Sequence, residues 1–309
     1  MRILVLGAGG IGGYYGARTH AAGGDVTFLV RPARAAQLRE NGLKVFSPFG
    51  DLRIVPKVLT SDTLNAPFDV IILSCKAYDL DSAMDAIAPA VGEQSVILPL
   101  LNGVRHIDTL IARFGAAHVL GGVALISVML APNGEIRHLN KTHRLVTGSL
   151  TTPSSPCLSP LTTLLAASGI EFVLSDKVEQ AMWDKIVFLS TLAASTCSMR
   201  ASVGDILNTL AGTDYITGLL AECAETAAAC GHAVADEQLA IYRKQLTEPG
   251  SGLMASMLRD VERGGETEAD HILGDLVSRA QAKGVATPLL RLAYSHLQAY
   301  AARRKASAA

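Results

Sequence analysis

The sequence predicts an α/β protein in two parts: a doubly wound parallel-sheet domain over residues 1–176 and an all-helical domain over 177–309. Three observations predict it. The 309 residues exceed what one hydrophobic core normally organises, so two domains are expected. The first half alternates short, continuous apolar runs with helical patterns, as a parallel sheet with crossover helices requires. From about Lys177 the chain turns to long alanine- and leucine-rich stretches with helical periodicity.

The elements follow in order. "RILVLG" and "DVTFLV" read as the first two strands, and "DVIILS" (69–74) and "SVILPL" (95–100) as two more. Each is continuous enough to be buried on both faces. "HVLGGVALISVML", "GEIRHLN" and "RLVTGS" read as further strands without long helices between them. They are expected to extend the sheet or to form an antiparallel lid over it. "TTPSSPCLSP" (151–160) reads as a turn with proline at a helix start.

Composition excludes several classes of function. The hydrophobic fraction is 49%, the charged fraction 18% and the formal net charge −1, which gives no electrostatic footprint for nucleic acid or an acidic membrane. The basic C-terminal "ARRKASAA" reads as a solvated tail. The apolar "GGVALISVML" is about half the length a bilayer demands. No signal-peptide character precedes "MRILVLG", and five cysteines without a CxxC pair suit reduced thiols, so a cytoplasmic protein is expected. Cys223 and Cys230 read as core packing. His138 and His143 are the nearest histidine pair and lack acidic or cysteine partners at metal-site spacing, so no metal is expected. An alanine- and leucine-rich helical domain suits either a monomer or a homodimer.

The informative stretch is "LVLGAGGIGGYYG" (4–16), where Gly7, Gly9 and Gly12 form G-x-G-x-x-G between a strand and a helix. Glycine costs about 1 kcal/mol relative to alanine inside a helix, so its density here has a purpose. The motif supplies a tight turn, open backbone for a pyrophosphate and close helix–sheet packing, the fingerprint of a Rossmann-type dinucleotide site. Free N–H groups at the helix start add to the anion's attraction. Gly7, Gly9, Gly10, Ile11 and Gly12 are therefore the expected cofactor-binding backbone. After the second strand, where an NAD-preferring fold usually carries an acid, this chain has Arg31, Pro32 and Arg34. A carboxylate there repels a 2′-phosphate, whereas a guanidinium pairs with it, so NADP(H) is the expected cofactor. Taken alone, Arg31 also reads as an ordinary surface cation.

On "GAGGIGGYYGARTHAAGGDVTFLVR", "AAQLRENGLKV", "SCKAYD", "LLNGV", "MWDKI" and "SMLRDVERGGETEAD", in this order and at compatible spacings, the chain resembles the ketopantoate reductase (2-dehydropantoate 2-reductase) family over nearly its whole length. The resemblance implies a Rossmann domain joined to a helical domain of the 6-phosphogluconate dehydrogenase type. It implies NADPH-dependent reduction of a 2-oxo acid in the interdomain cleft. It further implies a catalytic lysine at Lys185 and an essential acid at Glu268. Lys76 and Asn102 are implied near the nicotinamide, Asn102 also toward substrate, and Ser256 as a substrate-binding serine.

Those residue types suit the chemistry. Hydride reaching a ketone carbon leaves an alkoxide that needs a positioned proton donor or cation. Lys185 can be both if burial lowers its pKa, and Glu268 can orient the ammonium or accept a hydrogen bond from the nascent hydroxyl. Separately, Lys185 reads as a snorkelling lysine and Glu268 as an acid at a helix start.

One departure bears on substrate. The family pattern places two asparagines after the lysine on its helical face, whereas "WDKIVFLSTLAAST" has Leu189 and Ala193 there. Leu273 stands where another asparagine is common. A polar substrate group facing these side chains would lose about 1 to 3 kcal/mol for each unmade hydrogen bond. Either Ser190, Thr191 and Ser195 compensate, or the substrate is more apolar than 2-dehydropantoate. Two other readings share the plan: a hydroxyacid or opine-type dehydrogenase, and a catalytically silent NADP(H) sensor.

Overall fold

The computed structural model describes residues 1–152 and 154–308; Pro153, inside the segment 151–160 that the sequence marks as a turn, lies outside them. The chain divides into two compact units, Met1–Asn102 with His106–Ala181, and Gly103–Arg105 with the residues from Met182 onward.

The first unit runs β1 (Arg2–Leu6), α1 (Gly10–Ala21), β2 (Asp25–Leu29), α2 (Pro32–Asn41), β3 (Leu43–Phe46), β4 (Leu52–Ile54), β5 (Lys57–Leu59) and β6 (Phe68–Leu73). It continues with α3 (Leu80–Ile87), β7 (Val91–Pro99), α4 (Arg105–Phe114), β8 (Leu120–Leu130), β9 (Ile136–Ser149), α5 (Leu158–Ala167) and β10 (Glu171–Leu174). Five strands form a parallel sheet in the order β5-β2-β1-β6-β7. The chain winds from β1 outward through β2 to β5, then returns to the other side of β1 as β6. In doubly wound sheets such a reversal opens a crevice at the carboxyl ends of the strands, where ligands bind. Ile3, Leu4, Val5, Ile71, Ile72 and Leu73 are fully buried, which is why these strands are written as continuous apolar runs.

The later strands do not extend that sheet. "GEIRHLN" and "RLVTGS" are the two ends of the single strand β9, which pairs antiparallel with β8 along most of its length. With β3, β4 and β10 they build a second sheet, order β10-β9-β3-β4. The three short strands escape the sequence reading because three or four residues cannot display a two-residue period. Helix α1 shares one core with both sheets. Its Tyr14, Tyr15 and Ala17 cluster with Ile3 and Val5 of β1 and with Ile136 and Leu145 of β9. Glycines supply the closeness: a Cβ on Gly10 would stand 3.2 Å from Val128 of β8, one on Gly13 would collide with Ile136, and one on Gly16 would stand 2.7 Å from Phe28 of β2.

The second unit is helical: α6 (Val178–Met199), α7 (Val203–Leu207), α8 (Gly212–Ala229), α9 (Asp236–Leu246), α10 (Ser256–Glu262), a π-helical stretch Asp270–Gly274 leading into α11 (Asp275–Ala282), and α12 (Pro288–Ala308). The division between the units runs through the first turns of α6. Buried polar groups fix the helix arrangement. Glu222 of α8, 8% exposed, accepts the backbone N–H groups of Leu289 (2.9 Å) and Leu290 (2.8 Å) at the start of α12. A carboxylate there answers both the orphan donors and the positive helix end. Trp183 of α6 stacks on His232 at 5.0 Å, and the Arg279 guanidinium of α11 lies 5.6 Å from the same indole. The five cysteines are free thiols. Among the described residues no helix is long and apolar enough to cross a membrane.

Candidate active site

The glycine loop starts where β1 ends. Gly7 takes φ +88°, a conformation favouring glycine, and its N–H donates to the Leu29 carbonyl at the end of β2 (2.9 Å). Gly9 caps α1 with extended backbone and no side-chain cap, and a Cβ on it would meet nothing within 4 Å. Gly12 is the reverse case: its Cβ would run into Ser74 Oγ and stand 2.6 Å from the Gly7 carbonyl oxygen. Turn, open approach and close packing thus fall on three different glycines, in the order a bound pyrophosphate requires. The first-turn N–H groups of α1 face no capping side chain, so these residues fit a dinucleotide. Ile11 is half-buried and packs on the core beneath.

Ser74, just beyond β6, donates from Oγ to the Leu6 carbonyl at 3.1 Å and ties together the two strands that flank the crevice. Sequence reasoning missed it; its place inside "SCKAYD" was the available signal. Lys76 follows, half-buried at the start of a short 3₁₀ turn, Ala77–Asp79. Asn102, also half-buried, lies just past the carboxyl end of β7. The glycine loop, Lys76 and Asn102 therefore emerge from the carboxyl ends of β1, β6 and β7, three adjacent strands.

Arg31 and Arg34 differ in role although three residues separate them. Arg31 opens α2 with its guanidinium 83% exposed, 3.3 Å from Asp79. Arg34 instead donates to the carbonyls of Ala8 (2.9 Å) and Gly134 (3.0 Å), bracing the glycine loop against the β8–β9 turn, and burial pulls its pKa below the usual guanidinium range. Sequence alone could not separate the exposed cation from the brace, because the brace's partners lie on the loop and on a distant hairpin.

In the second unit Lys185 lies on α6 between buried Trp183 and Ile186. The residue is half-buried overall, but its ammonium is drawn in among protein atoms. That burial pushes its pKa down to about 8 from 10.5, while the Glu268 charge acts in the opposite direction. Glu268 is 7% exposed and lies two residues before the π-helical stretch; its carbonyl accepts a helical hydrogen bond from Ile272 N–H at 3.0 Å. A π-helical turn is a common mark of functional sites. Next along that stretch, the His271 ring lies so close to Gly103 that a Cβ on Gly103 would stand 2.8 Å from it. Ser256 is exposed at the first residue of α10.

The hydroxyls of α6 do not replace the missing amides. Thr191 Oγ1 donates to the Val187 carbonyl and Ser195 Oγ to the Thr191 carbonyl, each at 2.8 Å. Ser190 Oγ is fully buried and without a hydrogen-bond partner among the described residues. Leu189 is half-buried, and Ala193 and Leu273 are buried.

Comparison with known proteins identifies the family. The profile described as "Ketopantoate reductase PanE/ApbA" matches residues 3–151, and "Ketopantoate reductase PanE/ApbA C terminal" matches residues 177–301. The chain is 35% identical over 308 residues to "Uncharacterized oxidoreductase YkpB" of Bacillus subtilis, covering 98% of this chain and 100% of the relative. It is 26% identical to the 2-dehydropantoate 2-reductase of Halobacterium salinarum, covering 94% and 96%. Among solved structures, the 2-dehydropantoate 2-reductase of Geobacter metallireducens superposes with TM-score 0.87 at 27% identity, covering 96% and 99%. D-mandelate dehydrogenase, solved with NADH and anilino(oxo)acetate, shares the fold with TM-score 0.88 at 21% identity, covering 99% and 100%. The chain belongs to the PanE/ApbA ketopantoate reductase family and is an oxidoreductase of that family.

Proposed function

We propose that this chain reduces a 2-oxo acid to the 2-hydroxy acid with NADPH; 2-dehydropantoate, the precursor of pantoate in pantothenate biosynthesis, is the reference substrate against which its preference is read. The observation that carries the reading is Lys185: an ammonium whose burial lowers its pKa to about 8 while it interacts electrostatically with the buried Glu268. A proton donor is most effective when its pKa lies near the working pH.

The nicotinamide cofactor supplies the hydride that reaches the carbonyl carbon. The chain's residues supply the rest. Gly9, Gly10, Ile11 and Gly12 would hold the pyrophosphate on backbone N–H groups at the start of α1, with Gly7 shaping the turn before them. Arg31, whose contact to Asp79 is weak and exposed, would pair with the 2′-phosphate. Lys76 adds positive charge, and Asn102 donates its amide N–H toward the nicotinamide or the substrate. Lys185 Nζ hydrogen-bonds the ketone oxygen, stabilises the negative charge that grows there and gives it a proton. Solvent returns that proton to Lys185. Glu268 orients the ammonium, and Ser256 offers its hydroxyl to the substrate.

The test is loss of reduced-nicotinamide absorbance with 2-dehydropantoate and a panel of other 2-oxo acids. Lys185→Ala is expected to lower kcat by about 10²- to 10⁴-fold while NADPH binding is retained. Normal turnover by that variant would overturn the assignment.

A further inference from the structure

We propose that the acid reduced here carries a hydrocarbon side chain with no hydroxyl group beyond the oxo carbon, and that Leu189 sets this preference. The inference rests on the reading of Lys185 as the group that meets the carbonyl oxygen.

Residues one turn apart lie on one face of a helix, so Leu189 is the neighbour of Lys185 toward the carboxyl end of α6. It is half-buried and so still offers surface, and that surface is carbon. Behind it on the same face, Ala193 is 1% exposed. On the π-helical stretch that follows Glu268, Ile272 and Leu273 are 3% and 0% exposed. Among the described residues, the α6 hydroxyls near this wall are committed or turned away. Thr196, about three turns beyond Lys185 on the same face, is fully buried, donates to the Leu192 carbonyl at 2.6 Å and accepts from Ala255 N–H at 3.4 Å. Thr191 and Ser195 are fully buried and return their hydrogen bonds to their own helix. At 100° per residue, Ser190 lies roughly 140° around the helix axis from Lys185, inside the helical core rather than beside the ammonium. A substrate hydroxyl placed against Leu189 would leave water for carbon and find no partner on α6, whereas a methyl group would gain contact.

An apolar pocket discriminates only moderately against an added hydroxyl, by about 10²-fold at most. The decisive pair is therefore 3,3-dimethyl-2-oxobutanoate and its 4-hydroxy derivative, 2-dehydropantoate, which differ by that one oxygen. With the full chain and NADPH, kcat/KM is expected to be at least about ten-fold higher for the hydroxyl-free acid, or about 1.4 kcal/mol. Leu189→Asn is expected to lower this ratio at least ten-fold, chiefly by improving KM for the hydroxylated acid. The wild-type comparison stands even if the variant fails to fold. Equal use of the two acids, or preference for the hydroxylated one, overturns the inference and leaves the reductase reading intact. Absence of NADPH oxidation with this pair and with the wider 2-oxo acid panel overturns the reductase reading, and the inference with it.

Discussion

Arg31 Nη2 lies 3.3 Å from Asp79 Oδ1, joining the segment after β2 to the segment after β6 across the carboxyl end of the parallel sheet. The pair is exposed, 83% and 39%, so it contributes at most about 1 kcal/mol. A contact that weak is readily exchanged for a phosphate.

The first prediction concerns that exchange. Arg31→Glu is expected to raise KM for NADPH by about ten-fold or more, since a charged hydrogen bond is worth about 1.5 to 3 kcal/mol, and to change KM for NADH little. Asp79→Asn removes the competing carboxylate and is expected to tighten NADPH a few-fold. Steady-state kinetics with the two cofactors check both; unchanged discrimination in Arg31→Glu would move the 2′-phosphate site elsewhere.

A second prediction separates two glycines of one motif. Gly9→Ala adds a methyl that meets nothing within 4 Å and sits at φ −82°, so the melting temperature should stay near wild type while cofactor affinity falls at least ten-fold. Gly12→Ala drives its methyl into Ser74 Oγ and the Gly7 carbonyl and should lower the melting temperature outright, as overpacking by about 1 to 3 kcal/mol does. Thermal denaturation and cofactor titration on the same samples distinguish them.

A third prediction is the pH dependence of Lys185. Proton donation needs the ammonium, so kcat should decline as pH rises through about 8. The sign for stability is opposite. Because the folded pKa lies below the unfolded 10.5, the unfolded chain binds more protons between about 8 and 10.5, and stability from this group rises with pH across that window. Denaturant midpoints of wild type and Lys185→Met through pH 7 to 10 should diverge accordingly.

Two buried polar side chains, on α8 and α6, give a fourth prediction. Glu222→Ala abandons two N–H groups at the start of α12 and should cost about 1 to 3 kcal/mol. Ser190→Ala removes a hydroxyl that has no partner among the described residues and should leave the melting temperature unchanged or raise it. A fall after Ser190→Ala would show that its hydroxyl is satisfied.

What could be read in the chain depended on whether the signal was local. β1, β2, β6 and β7 are long enough, and buried on both faces, to write themselves as apolar runs. The longest helices beyond residue 177, α6, α8 and α12, are long enough to show their period. β3, β4 and β10 were illegible because each is held by partners rather than by its own pattern; β9 pairs with both β3 and β10. Among site residues, the glycines could be named because the backbone itself must take the required conformation. Ser74 could not, since its role is to reach the Leu6 carbonyl on a neighbouring strand.

The fold class, the glycine turn and the identity of the charged side chains are legible along the chain, because each is written in local pattern. The tertiary structure decided which charges are altered and which polar groups are already occupied. Arg34 becomes a brace and Arg31 an exposed cation because one finds buried carbonyls and the other finds water. Lys185 loses proton affinity because folding strips water from its ammonium, and its relation to Glu268 exists only once helices far apart in sequence have packed. The carbon face at Leu189 acquires meaning the same way, when the hydroxyls beside it prove to be spent on their own helix.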